Sequence, residues 1–189
     1  KALSHLVRLS YDKETLVGWR AILAAGMAAR ALAATDHAFL RETCRKLLWS
    51  LNDESGGIGW SAPELLGEIV SSAPGRFGDL VPMIAGIFHV EEDTFRAGTA
   101  YALMRIAERE PARVVPHRDT IIAGLEQKDP RTRIFSLRLI GHIWSAACRD
   151  GLWTADQCLE ARKAVQRLLD DGSEAWVYGT DDFQSLQVS

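Results

Sequence analysis

The sequence predicts an all-α protein, a right-handed α-α superhelix of about four antiparallel helix pairs, followed by a capping helix and a short tail. Two observations predict it. Apolar residues recur at helical period along nearly the whole chain, with breaks at regular places. The chain also matches itself. Gly18-Trp19-Arg20-Ala21-Ile22 and Gly59-Trp60-Ser61-Ala62-Pro63 align at an offset of 41, and Asp12 and Asp53 each lie seven residues before the tryptophan. In that register Gly26, Gly67, Met104 and Gly141 are equivalent. So are Ala25, Leu66, Leu103 and Ile140, and then Ala28, Ile69, Ile106 and Ile143. A helical hairpin of ~40 residues cannot bury both apolar faces alone, so neighbouring pairs must stack into one core.

The elements follow in order. Residues 1–10 read as a short apolar helix, 13–34 as a long alanine-rich one and 36–51 as a third, ahead of a glycine-rich loop over 52–60. Ser61 opens the next helix with Glu64 three residues on, the pattern of a capping box, and Pro74 ends it. Residues 76–89 and 93–110 make another pair, closed by Pro111; residues 112–127 then precede Asp129-Pro130, an N-cap with proline at N1. The helix after it runs to Gly151, which suits a left-handed C-cap. Thr154 and Gln157 cap a last helix that stops near Gly172 and closes a domain over 1–171. The tail 172–189 alternates around Gly179-Thr180-Asp181-Asp182, which leaves two readings open. One is a hairpin of residues 176–178 with 183–188; the other is an irregular tail.

Asp129-Pro130-Arg131-Thr132-Arg133-Ile134-Phe135-Ser136-Leu137-Arg138-Leu139-Ile140-Gly141 resembles the second-helix signature of HEAT-like (armadillo-type) helical repeats. Residues 92–106 match it more loosely, while 13–28 and 54–69 depart from it, with tryptophan early and no acid-proline pair. The resemblance covers residues 1–148. It implies a solenoid whose second helices line the concave side; such arrays serve as adaptors, scaffolds and occasionally enzymes.

Composition narrows the function classes. A formal charge of −3 over 189 residues carries no basic footprint, which argues against nucleic acid and anionic membranes. Cys44, Cys148 and Cys158 are odd in number, scattered and without a CxxC pair, and predict reduced thiols in a cytoplasmic protein with no metal site or disulfide framework. No apolar run approaching the ~18 residues of a spanning helix and no signal peptide are visible. Targeting information ahead of Lys1 stays open. The six tryptophans are more than this length needs.

With the apolar columns in the core, positions four apart on each second helix should face outward together. They are Trp19, Leu23 and Met27; Trp60, Glu64 and Glu68; Ala97, Tyr101 and Arg105; and Ile134, Arg138 and His142. The expected ligand face is Trp19, Trp60, Glu64, Glu68, Tyr101, Arg105, Arg138 and His142, running from aromatic through acidic to basic. Each has a plainer reading: tryptophans filling gaps between pairs, Glu64 as a cap, an exposed charge ladder worth ~0–1 kcal/mol per pair, and a satisfied histidine. Residues 52–60 match no phosphate- or calcium-binding pattern and suit an ordinary connecting loop. His5, His37, His89, His117 and His142 are scattered and no serine sits on a nucleophile elbow, so no catalytic residue, cofactor or metal ligand is assigned.

The leading expectation is a non-enzymatic binding or scaffold module holding a protein or peptide on the concave face. The resemblance also implies an enzyme alternative. HEAT-like DNA glycosylases that excise alkylated bases use tryptophans and a carboxylate, parts open here to Trp19, Trp60 and Glu64 or Glu68, with Arg105 and Arg138 on phosphates. The negative charge and short groove count against it. A third expectation is a structural subunit of a larger complex, docking through the tail, of undefined oligomeric state.

Overall fold

A computed structural model describes residues 1–51, 60–90, 94–179 and 181–189. It is mostly helical, with one small antiparallel sheet. Helix α1 (Ala2–Leu9) leads into α2 (Leu16–Thr35), α3 (His37–Ser50) and α4 (Ala62–Ser72). The next two helices are short, α5 (Pro74–Phe77) and α6 (Val81–Ile87), and α7 (Thr94–Ala107) follows. After it come α8 (Pro111–Val114), α9 (Arg118–Leu125), α10 (Pro130–Trp144) and α11 (Ala155–Gln166). Strands β1 (Glu174–Tyr178) and β2 (Phe183–Gln187) close the chain.

Helices α2, α4, α7 and α10 pack side by side in chain order. Behind them α1 lies on α2, α3 on α4, α6 on α7 and α9 on α10. The expected core columns occupy the seams, with Ala25, Leu66, Leu103, Ile140, Ile69, Ile106 and Ile143 all buried. Gly67 is needed for the closest seam, because a Cβ there would stand 2.5 Å from Ala102 Cα. The column fails at its ends. Ala28 is half-buried and Gly141 is exposed, with open space where a Cβ would go.

Local signals explain most boundaries. Asp129 accepts from the Arg131 and Thr132 amides, and Thr154 with Gln157 forms the capping box. Gly151, at φ 76°, is the positive-φ residue among those described. The Ser61–Glu64 capping box does not form. Ser61 Oγ bonds Ser10 Oγ at 2.8 Å in the interior, and Glu64 turns to Lys13 instead. The two helices expected over 76–89 and 112–127 are each broken by a 3₁₀ turn, at Gly78–Leu80 and Val115–His117. Pro82 and Pro116, which lack an amide hydrogen, sit beside those breaks. Pro74–Phe77 and Pro111–Val114 lie 37 positions apart, the spacing of the later columns. The loop expected over 52–60, with Asp53 and Gly59 of the repeated segment, lies outside the described residues except for Trp60.

Of the two tail readings the structure has the hairpin, with Glu174 opposite Gln187 and Tyr178 opposite Phe183. It packs on α10. Buried Arg133 fastens its base: the guanidinium donates to the Lys128 carbonyl (2.7 Å) and Ser173 Oγ (2.6 Å) and pairs with Asp171 (2.8 Å).

Two further expectations are corrected. Cys148 and Cys158 form a disulfide, because the single π turn Ser145–Arg149 and Gly151 fold α11 back against the end of α10. Only the buried Cys44 is a free thiol, and burial pushes its pKa up to about 12. The 20-residue α2 is also long and apolar enough to cross a membrane by length and composition, although one of its faces is packed in the seams.

Reduction of the disulfide should cost up to about 3 kcal/mol in a chain-entropy treatment, lowering the melting temperature by several degrees. A melt with and without reductant, repeated on a Cys148→Ser/Cys158→Ser variant that reductant should not affect, measures it. A thiol titration should find no reactive group in the native oxidised protein and one after unfolding. In the α4–α7 seam, Gly67→Ala should destabilise by about 1–3 kcal/mol in chemical denaturation, because the clash is with backbone.

Candidate functional site

The expected ligand face is not one exposed grid. Trp19 is 3% exposed and Tyr101 6%, and Glu64 and Glu68 are buried as well. The ends of the helix row curl toward each other, so a column that faces outward on its own helix is covered by neighbours. The Trp19 ring stacks on Tyr178 of the hairpin (5.8 Å, interplanar 8°) and meets Tyr101 edge-on (5.1 Å). Tyr101 in turn meets Phe135 of α10 edge-on at 5.4 Å. Arg20 donates to the Asp181 carbonyl, a second tie from α2 to the hairpin. The tail therefore sits across both ends of the row.

Glu68, Tyr101 and Arg105 form one buried cluster. Glu68 Oε1 accepts from the Tyr101 hydroxyl (2.7 Å) and from Arg105 Nε (2.6 Å), and Arg105 also pairs with Glu108. Gly26 makes room for the carboxylate, since a Cβ there would lie 2.7 Å from Glu68 Oε2. Burial, then the Glu68 charge, hold the Tyr101 phenol well above its ordinary pKa, so it stays a neutral donor. Burial opposes the Arg105 charge, but the Glu68 bond and charge outweigh it and raise the pKa. The three side chains form a structural network between α4 and α7.

One turn earlier, Glu64 lies flat on Gly98, where a Cβ would be 2.7 Å from its carboxyl atoms. Its Oε1 accepts from Lys13 Nζ at 2.9 Å, while Oε2 is buried without a hydrogen-bond partner among the described residues. An unmet buried acceptor of this kind costs about 1–3 kcal/mol. Glu64 lines a recess of about 290 Å³ at the N-terminal ends of α2, α4, α7 and α10, with Trp19 and Phe135 among its walls. Arg131 and Glu14 bridge its rim, joining the last pair to the first through a two-pronged contact at 2.9 and 3.2 Å.

The remaining expected members stand apart. Trp60 is 42% exposed and lies against Phe95 at 6.2 Å. Arg138 is exposed and makes no bond with a described residue; His142 is exposed with Glu108 at 3.8 Å. Among the described residues no group of three His, Cys, Asp or Glu is placed to hold a metal. Lys13, Glu14, Gly98, Arg131 and Tyr178 complete the site and carry no periodic signal. Arg131 alone stood in a recognisable motif, the acid-proline-arginine turn.

The Arg131 hydrogen bond, outweighing partial burial, holds Glu14 below the usual carboxylate range. A depressed pKa stabilises the fold above the unfolded value and loses that contribution as pH falls through the folded one. Denaturation midpoints should therefore fall on acidification below about pH 4, with Glu14→Gln removing part of the slope. Identical slopes in the two proteins would show that the bridge adds nothing.

Comparison of the chain with known protein families, with curated proteins and with solved structures finds no match.

Proposed function

We propose that the chain is a HEAT-like α-α solenoid acting as a non-enzymatic binding module, which holds a protein or peptide partner by taking one basic side chain into the recess over Glu64. The observation that carries the reading is the Glu64 carboxylate, buried with one oxygen met by Lys13 and the other by no described residue. Folding has sequestered an acceptor that a guanidinium or ammonium donor would satisfy once the carboxylate turns from its seat over Gly98 toward the recess, and such charge-assisted bonds are among the stronger ones. The recess, at about 290 Å³, is at the small end of ligand sites and has the size of a side chain rather than a metabolite. Its aromatic walls suit the planar Arg head or the apolar Lys stem.

The helix row supports the solenoid part of the reading. The second helices neighbour each other in chain order, and short helices recur at 37 residues. Half-exposed Trp60 and exposed Met27 supply apolar anchors of the kind found at interfaces. The glycosylase alternative needs Trp19 to offer a ring face to a base, and Tyr178 occupies one. The structural-subunit alternative needs a free tail, and this one is seated on its own chain.

A peptide array varying one central position tests the reading, probed with wild-type protein and with Glu64→Gln and Trp60→Ala. Retained peptides should carry Arg or Lys there, and Glu64→Gln should weaken binding about tenfold. An array without signal, or with signal indifferent to both substitutions, overturns it.

A further inference from the structure

A second cleft lies at the other end of the same helices, and its chemistry is opposite. It is about 450 Å³, within the ordinary range for small-molecule sites, and runs over α4 between α2 and the end of α7. Three guanidinium groups line it: Arg30 from α2, Arg105 in the last turn of α7, and Arg109 just beyond. Leu23, Met27 and Pro74 make an apolar wall.

Charge accounting separates the three arginines. Arg105 is neutralised, since Glu68 takes its Nε and Glu108 its Nη1. Glu68, the one carboxylate in the lining, shares that guanidinium with Glu108, so the three groups together carry one net negative charge and add no positive charge to the cleft. Arg30 and Arg109 are exposed, and their guanidinium groups hold no hydrogen bond or ion pair with any described residue. The Ser71 and Ser72 hydroxyls donate to the Glu68 and Ile69 carbonyls, so recognition falls to the guanidinium groups. A cation beside the α7 C-terminus is favourable by itself, which accounts for Arg109. It does not account for Arg30, which converges on the same cleft from the interior of a different helix.

Two guanidinium groups without a partner among the described residues match the several oxygens of a phosphoryl dianion better than a single carboxylate, and the planar fork suits those oxygens. The wall leaves room for an apolar group beside it. We propose that this cleft binds a small phosphate monoester, its phosphoryl group held between Arg30 and Arg109 and its organic part laid against Leu23 and Met27.

Calorimetric titration at constant ionic strength tests this, with phenyl phosphate, inorganic phosphate, benzoate and phenol as probes. Phenyl phosphate should bind saturably at one site per chain, inorganic phosphate and benzoate more weakly, and phenol not at all. Arg30→Gln or Arg109→Gln should each weaken phenyl phosphate about tenfold, with little change in the melt, because neither guanidinium bonds a described residue and the helix-end charge of Arg109 is a small exposed effect. Glu64→Gln should leave that affinity intact, which keeps the test independent of the recess. No saturable heat, or an affinity unaltered in the Arg30→Gln/Arg109→Gln double variant, overturns the proposal. Benzoate binding as tightly as phenyl phosphate overturns the dianion assignment, and inorganic phosphate doing so overturns the apolar subsite.

Discussion

The close approach of neighbouring second helices is the constraint on which the rest depends. At the α4–α7 seam the gap is set by Gly67 against Ala102, with no space for even a methyl group. That approach leaves an acidic side chain on α4 no room to stand away from the next helix. Glu68 therefore lies over Gly26 of α2, and Glu64 over Gly98 of α7. Small residues serve two purposes here. They let backbones meet, and they open two seats in which carboxylates are buried.

Burying two carboxylates is unfavourable unless each is met. The fold meets them unequally. Glu68 has a phenol and a guanidinium on one oxygen and becomes part of the framework. Glu64 has Lys13 on one oxygen and, among the described residues, no partner on the other. Two acids on the same helix, one turn apart, thus differ in kind. The difference comes from what α7 presents: Tyr101 and Arg105 reach Glu68, while Gly98 offers Glu64 only space.

Closure of the row carries this arrangement into a face with two ends. Glu14–Arg131 and Trp19–Tyr178 connect the first pair to the last, across sequence separations that no local pattern reaches. At the helix N-termini the result is a recess with an acid; at the C-termini it is a cleft with two arginines that pair with no described residue. A net charge of −3 hides this division, since a sum over the chain carries no spatial information.

Legible in the residues alone were the helical course of the chain, the caps at Asp129 and Thr154, the left-handed glycine at 151 and the middle of the buried columns, because each is a matter of local geometry or of one helix's period; the 3₁₀ breaks at Gly78–Leu80 and Val115–His117 were not. The sequence did not determine that the Ser61–Glu64 pair would forgo its box, since Ser10 and Lys13 compete for those side chains from 51 residues away. Nor did it show that Cys148 and Cys158 would meet, which required the turn after α10 to fold back. Above all, a helical period tells which residues share a face, not what lies opposite. Trp19, Glu64, Glu68 and Tyr101 are all buried, because neighbouring helices and the hairpin lie over them, and one Glu64 oxygen is left inside without a partner among the described residues; contacts across such distances come from packing and not from the period of one helix.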